Sequence, residues 1–366
     1  MKFCNSNLKY YTFPLATALC IALSGCGGGD DSGTPATSTT NGSGDPLTGV
    51  VITESNMADV AAAVIMSTAA SDIGASGAGS NSNFVLGVET TAAPVAAIPA
   101  PASMLMNLVV DQAKRASSNL DAQAVVVGVE SSQTVPCHVS GSQTYTYDLQ
   151  DPSGALVAGD VVNVSFSECH DGIHLLNGSM QMTVNAFSGF TDPISPAGSM
   201  DVSAVFTNLI ASGGQTSLTM DGGMNVAATI SGTVDSIMAQ ASSINYVLER
   251  NGVRRSMTLK NLNQKMDDAT DRFEMVVSED FSASFPTFSG SGNVATVSPI
   301  VSYWDANGYV GTTGKLKVAA DSSALYITVQ GVDSVYLELD SDNDGMIETS
   351  MTKTLVELDL LADLFP

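Results

Sequence analysis

The chain has few basic residues and few aromatic residues. Its 366 residues include 13 Lys and Arg against 37 Asp and Glu, which gives a formal net charge of −24. A field of this sign repels nucleic acids and anionic lipids and attracts cations, so the composition excludes a nucleic-acid-binding protein. Aromatic residues make up only 6% of the chain. This scarcity argues against a membrane-spanning barrel, whose strands carry aromatic girdles at both membrane interfaces.

Common catalytic motifs are also missing. The sequence contains no G-x-S-x-G nucleophile elbow and no H-E-x-x-H zinc motif. Gly314-Lys315 does not form a phosphate-binding loop, because no Gly lies five residues before Gly314 and Leu316 follows the Lys. The three His residues all lie near two cysteines, which leaves little for a Ser-His-Asp arrangement. These absences favour a protein that is not an enzyme, although a pair of catalytic carboxylates would leave no motif.

The N-terminus, in contrast, carries a clear signal. A basic start precedes an apolar run from about Phe13 to Leu23, and Leu23-Ser24-Gly25-Cys26 forms a lipobox. The apolar run is too short to span a bilayer. This layout resembles the signal peptides of bacterial lipoproteins, in which cleavage leaves the cysteine, here Cys26, as a diacylated first residue. In the lipoproteins that this signal resembles, Asp directly after the lipidated cysteine retains the protein in the inner membrane. Here that residue is Gly27, so the resemblance implies the outer membrane.

The five cysteines divide according to this signal. Cys4 and Cys20 would leave with the signal peptide, and Cys26 would carry the lipid. Cys137 and Cys169 would then remain as one pair in an oxidising compartment. A disulfide between them would close a loop of about 30 residues and stabilise the fold by roughly 3–4 kcal/mol. The sequence therefore predicts a Cys137–Cys169 disulfide.

Composition and periodicity divide the chain into four segments. Residues 1–25 form the signal peptide, and residues 26–49 comprise the lipidated cysteine and a tether rich in Gly, Ser, Thr and Asp. As a disordered, flexible coil this tether would reach roughly 25 Å on average. Residues 50–121 form a helical part, with one helix capped by Asn56 and a second over about Ser103–Ser118. Residues 122–366 form an antiparallel β domain.

The β domain is predicted from apolar residues at every second position, as in Met180 to Val184. About ten to thirteen such runs indicate antiparallel strands with one dry and one wet face. Hairpin turns are expected at Asn251-Gly252 and Asn307-Gly308, and Asn177-Gly178 and Asp221-Gly222 are interpreted as turns as well. A one-sided sheet of this size must hide its apolar face. We therefore expect a mainly β (α+β) fold, a large curved sheet or half-barrel with the two helices packed on it.

The most specific motif of the β domain is the stretch Asp340–Glu348, called the acidic loop from here on. Its sequence, Asp-Ser-Asp-Asn-Asp-Gly-Met-Ile-Glu, matches the first nine positions of an EF-hand-like calcium loop. The candidate Ca²⁺ ligands are Asp340, Asp342, Asp344, Met346 and Glu348. Position twelve is Met351, so the bidentate carboxylate of that motif is missing, and the flanks are typical of strands. The sequence leaves two interpretations. The loop either binds Ca²⁺ and so holds a hairpin together, or it is a polar hairpin loop that binds no metal.

Two stretches resemble uncharacterised lipoproteins of proteobacteria. One runs from Cys137 to Gly178 and includes Gly159-Asp160, and the other runs from Gly314 to Glu348. The resemblance implies a cell-envelope address and a β-rich fold, and it supplies no activity.

Together these observations predict an outer-membrane-anchored lipoprotein, facing the periplasm or the cell surface, with a non-catalytic binding or structural role. Its partners would be the membrane, through the N-terminal lipid, and an envelope protein or an apolar ligand. The alternative is a carrier of lipid or another apolar ligand. The curved sheet would then form a half-barrel cavity, similar to that of lipoprotein carriers.

Overall fold

The chain forms a long meander of antiparallel strands with two helices before it. The structure is a computed structural model, and the residues it describes are 49–68, 84–85, 88–89, 101–120, 131–151, 156–170, 174–189, 197–213, 216–231, 234–250, 252–269, 271–305, 308–331, 334–354 and 357–358. The signal peptide, Cys26 and the tether up to residue 48 lie outside these ranges.

Within the described residues, α1 (Met57–Thr68) and α2 (Pro101–Leu120) are the two helices, and β1 (Phe84–Val85) pairs with β2 (Val88–Glu89). Both helices confirm the helical segments expected from the sequence. Neither of them has the length and apolar content that a membrane-crossing helix requires.

The main sheet contains fourteen strands that pair strictly in chain order. They are β3 (Ser131–Pro136), β4 (Ser140–Asp148), β5 (Val161–His170), β6 (Leu175–Gly189), β7 (Gly198–Gly213), β8 (Thr216–Ile230), β9 (Val234–Arg250), β10 (Val253–Ala269), β11 (Arg272–Ser284), β12 (Ser289–Asp305), β13 (Gly308–Ala319), β14 (Ala324–Gly331), β15 (Ser334–Asp340) and β16 (Thr349–Thr354). All pairs are antiparallel, and the sheet stays open with β3 and β16 at its edges. The expected mainly β fold is confirmed, with one strand more than the upper estimate.

The alternation of apolar residues does place one face of the sheet in the core. On β6, Met180, Met182 and Val184 are buried, whereas Gln181 between them is exposed. The same alternation recurs on β7 to β11. Each fully buried Val, Leu or Met side chain contributes about 1.5–3 kcal/mol relative to its exposed state. The dry face is therefore the main source of stability.

The two helices cover part of this dry face. On α2, Leu105, Val109 and Ala113 are buried at four-residue spacing, which puts them on one side of the helix. The hydroxyl of Tyr145 on β4 donates a 2.6 Å hydrogen bond to the Gln112 side chain of α2. Helix α2 also packs against β8, while α1 packs against α2, β14 and β15.

These contacts agree with a curved sheet. In a flat sheet β4 and β15 would lie about 53 Å apart, since neighbouring strands are separated by about 4.8 Å. Helices of 12 and 20 residues laid end to end would reach only about 48 Å. The helices α1 and α2 contact each other as well as both regions of the sheet, and curvature of the sheet brings these regions within their reach. This agrees with the expected curved sheet.

One expectation about turns is wrong. Asn177-Gly178 lies inside β6 and Asp221-Gly222 lies inside β8, so neither forms a hairpin turn. Both pairs face a β-bulge on the preceding strand. The Asn177 side chain accepts a 2.9 Å hydrogen bond from the Glu168 amide, and Asp221 accepts one of 2.7 Å from the Asn208 amide.

The bulge residues Glu168 and Asn208 adopt φ of 47° and 45°, in the left-handed region. The strand register shifts at both places. Gly178, at φ 102°, lies against the carbonyl oxygen of Asn208, where a Cβ atom would overlap the backbone. Bulges bend a strand and increase its twist, so this repeated Asx-Gly device contributes to the curvature.

A substitution at Gly178 tests this device. Gly178→Ala is expected to lower the free energy of unfolding by more than about 2 kcal/mol, because the new Cβ meets the Asn208 carbonyl and φ is positive. Gly223→Ala, also within a strand, is the matched control: its Cβ would lie 3.3 Å from the Ala204 oxygen, and the expected cost is below about 1 kcal/mol. Equal losses in urea denaturation would contradict the role of Gly178.

Candidate metal centre

The acidic loop joins β15 to β16 at the end of the sheet. Leu339 pairs with Thr349, so the nine residues of the loop span the gap between two paired strands. Strands thus flank the loop on both sides, as expected from the sequence. Asn343 at φ 58° and Gly345 at φ 93° turn the backbone back on itself. Gly supplies such a conformation at no steric cost, and Asn tolerates it.

Asp340 organises the loop from its first position. Its side chain is 1% exposed, and its two carboxylate oxygens accept hydrogen bonds of 3.0 Å from the amides of Asp344 and Gly345. Asp344 in turn accepts a 2.8 Å bond from the Met346 amide. The backbone therefore wraps around the Asp340 carboxylate, and the alternate carboxylates of the motif are turned inward.

Glu348 closes the loop from its last position. Its carboxylate accepts a 2.6 Å hydrogen bond from the Ser341 amide, and its own amide donates a 3.0 Å bond to the Leu339 carbonyl. This arrangement brings the ninth position of the loop opposite the second. The fourth carboxylate thus faces the three Asp residues.

As a result, one oxygen from each of Asp340, Asp342, Asp344 and Glu348 lies within 4.8 Å of the others. Two negative charges at this separation repel by about 1 kcal/mol in water and by about 3 kcal/mol at an effective dielectric constant of 20. A bound cation would remove this repulsion. Carboxylate oxygens are hard donors, which suit a hard cation. Of the five candidate ligand residues, the structure brings the four carboxylates together, and Met346 would contribute its backbone carbonyl.

Met351, at the twelfth position, takes no part in this cluster. It lies on β16 and pairs with Leu337 on β15. In an EF-hand loop the twelfth position supplies a bidentate carboxylate, which this chain lacks. The structure shows that the loop already ends at position nine, where Glu348 faces the other carboxylates, because antiparallel pairing resumes at Thr349.

The three predicted cysteine site residues do not belong to the acidic loop. Cys137 and Cys169 form the predicted disulfide, with a Cα–Cα distance of 5.4 Å, and link the β3–β4 turn to the end of β5. Cys26 lies outside the described residues. The disulfide lies at the opposite edge of the sheet from the acidic loop, since β3 and β16 are the two edge strands.

Two buried polar side chains were not predicted as structural or site residues from the sequence. Asp160 is fully buried and accepts 2.7 Å hydrogen bonds from the amides of Gln150 and Val157, so it holds the loop between β4 and β5. Gln264 is also fully buried on the dry face, where its amide nitrogen lies 3.2 Å from the Met275 sulfur. Asp160 belongs to the first of the two stretches that resemble proteobacterial lipoproteins, whereas Gln264 belongs to no recognisable motif.

Comparison with known proteins adds no family to this description. No protein-family model matches the chain, and neither the curated proteins nor the solved structures gave a match.

Proposed function

We propose that this chain is an outer-membrane-anchored lipoprotein of the bacterial cell envelope with a non-catalytic binding or structural role. In this proposal a Ca²⁺ ion bound by the acidic loop holds strands β15 and β16 together at one end of the sheet. The observation that carries the calcium-binding part of the proposal is the convergence of four carboxylates, those of Asp340, Asp342, Asp344 and Glu348. The lipobox at Cys26 supports the address, and the Cys137–Cys169 disulfide agrees with an oxidising compartment.

Ca²⁺ is the cation that the donor set fits best. It takes six to eight oxygen ligands in flexible geometry. Three Asp side chains, the carbonyl of Met346 and a bidentate Glu348 would supply six, and water would complete the shell. The loop is also largely exposed, apart from Asp340. Exposed sites of extracellular modules bind Ca²⁺ with dissociation constants of about 10⁻⁴–10⁻³ M, and we expect an affinity in that range.

Calcium binding is tested with Asp342→Asn. Asp342 is exposed and accepts only a 3.2 Å hydrogen bond, from the Asp344 amide, so its loss leaves the loop folded but removes one charged ligand. We expect at least a tenfold weaker affinity in calorimetry. Saturating Ca²⁺, at about 100 times the dissociation constant, should stabilise the wild-type protein by about 2.7 kcal/mol, and chelation should reverse this.

Asp271→Asn provides the matched control, because Asp271 is an exposed residue in the turn between β10 and β11. It makes the same change in charge and should leave the affinity unaltered. A wild-type melting temperature that does not move between excess Ca²⁺ and excess chelator would remove the metal from the proposal.

The lipid anchor is tested with Cys26→Ser. In the native host the wild-type protein should fractionate with the outer membrane, and its mature N-terminus should carry the mass of attached acyl chains. The variant should lose both properties, because a hydroxyl at this position cannot form the thioether to the lipid. Val139→Ser, an exposed change far from the N-terminus, should keep both. An unmodified Cys26 in the mature wild-type protein would overturn the envelope address.

A carrier of an apolar ligand is the second candidate, and the surroundings of Gln264 favour it. On the dry face this side chain contacts the sulfurs of Met266 and Met275 at 3.7 and 3.2 Å, and its carbonyl oxygen has no hydrogen-bond partner among the described residues. A buried acceptor without a partner is uncommon, and methionine side chains adapt to varied ligand shapes. An apolar ligand with one donor group would satisfy both features.

Native mass spectrometry tests the carrier role. If the sheet carries a ligand, the protein purified without detergent should retain an added mass of a small lipid-like molecule. Gln264→Leu should lower its occupancy, since the hydrogen-bond acceptor is lost, whereas the exposed Gln240→Leu should not. Repeated preparations that show only the mass of the chain itself would contradict the carrier.

A further inference from the structure

The strand order places alternate turns at opposite ends of the sheet. In a meander of antiparallel strands, the turns that follow β3, β5, β7, β9, β11, β13 and β15 share one end. We call this the near end. It includes the acidic loop after β15, the turn at residues 320–323 after β13 and the turn at residues 285–288 after β11.

The N-terminal segment joins the sheet at this near end. The Val50 amide donates a 2.8 Å hydrogen bond to the carbonyl of Ser291, close to the start of β12. The Ile52 amide donates one of 3.1 Å to the Ser323 hydroxyl in the turn after β13. Next to Ser323, Ala324 pairs directly with Asp340 of the acidic loop. The residues that follow the tether therefore reach the sheet one strand away from the acidic loop.

The near end also exposes large apolar side chains. Met346 is 69% exposed and is the most exposed large apolar residue of the described chain, and its neighbour Ile347 is 43% exposed. Both belong to the acidic loop, and this exposed pair is called its apolar tip from here on. Val51, beside the junction with the tether, is 58% exposed. Apolar side chains grouped on an exposed loop indicate an interaction site, here beside the point where the chain leads back to Cys26.

The charge of the loop determines when a lipid surface can approach. Without a cation the loop carries four carboxylates, which repel the phosphates of anionic lipids. One bound Ca²⁺ would halve that charge, and its open coordination positions could accept a headgroup phosphate oxygen. The local repulsion between the loop and the interface would then be weaker, because the cation neutralises two of the loop's four negative charges.

We propose that the near end docks on the surface of an anionic phospholipid bilayer, with Met346 and Ile347 inserted at the interface when the acidic loop holds Ca²⁺. This inference rests on the proposed function for both the anchor and the metal. The tether of residues 26–49 would hold the near end within roughly 25 Å of the bilayer on average, so weak insertion suffices because the local lipid concentration is high. The protein would then stand on the membrane in one orientation instead of moving freely on its tether.

A single fluorescent label tests the docking. Met346→Cys in the lipidated mature protein carries the one free thiol, because Cys26 is acylated and Cys137 is bonded to Cys169. An environment-sensitive fluorophore on this thiol is measured in vesicles of equal parts phosphatidylethanolamine and phosphatidylglycerol. Ca²⁺ should shift its emission to the blue and permit quenching by brominated lipids. The same label at Val205→Cys, half exposed on β7, should not respond.

Ile347→Cys gives an independent second label on the same tip. Docking is overturned if neither tip label responds in vesicles although calorimetry shows that Ca²⁺ binds. If Ca²⁺ does not bind at all, the proposed metal site fails, and the docking as stated fails with it. A tip response of equal size in chelator would overturn the calcium dependence while supporting contact of the near end with lipid.

Discussion

The rest of the structure depends on one constraint: an open sheet with a single dry face must have that face covered. Strand pairing satisfies the backbone of all fourteen strands except at the edges β3 and β16. It does nothing for the apolar side chains that every strand turns to the same side. The helices provide part of the cover, through side chains such as Val60 on α1 and Leu105 on α2, both fully buried. The helical part therefore belongs to the same core as the strands.

Covering a wide sheet with two helices requires curvature, and the bulges help to supply it. Each bulge breaks the regular pairing of one strand and needs a partner for the freed amide. Asn177 and Asp221 meet this need from the next strand, and Gly178 lets the backbones approach. On the wet face, polar side chains bond across strands. The Asn185 side chain, for example, donates to Asp201 and Asn225. Such hydrogen bonds order the outer surface of the described strands.

The acidic loop and the N-terminal segment at residues 50–52 lie close together because of the same topology. An uninterrupted meander sends every second turn to one end, so residues distant in sequence, such as Ile52 and Ser323, become neighbours. The loop is preorganised by its own hydrogen bonds, chiefly those to the buried Asp340 carboxylate. Carboxylates held together in this way give a cation site its affinity, because the cost of ordering the ligands is met by folding. The acidic loop and the N-terminal segment at residues 50–52 thus share one end of the sheet.

The sequence by itself determined the properties that are local. Alternating apolar residues specify which side of each strand is dry, since the side-chain period of a strand is two. The same holds for the two helical segments and for the spacing of Asp340, Asp342 and Asp344. The pairing of Cys137 with Cys169 followed from elimination, because the other cysteines fall within the predicted signal and lipid site. A strand such as β3, with Val135 as its one aliphatic residue, gave no periodic signal, and the strand count was too low.

Only the tertiary structure decided what depends on contacts between distant residues. An Asn-Gly pair has the same local preference in a turn and beside a bulge, so the neighbouring strand determined that Asn177-Gly178 lies within β6. Likewise, the spacing of the motif could not show that Glu348 closes the carboxylate cluster, because this follows from the pairing of Leu339 with Thr349. The position of the N-terminal segment one strand away from the acidic loop is also a result of topology. Sequence patterns report short-range preferences, whereas strand order and register arise from the folding of the whole chain.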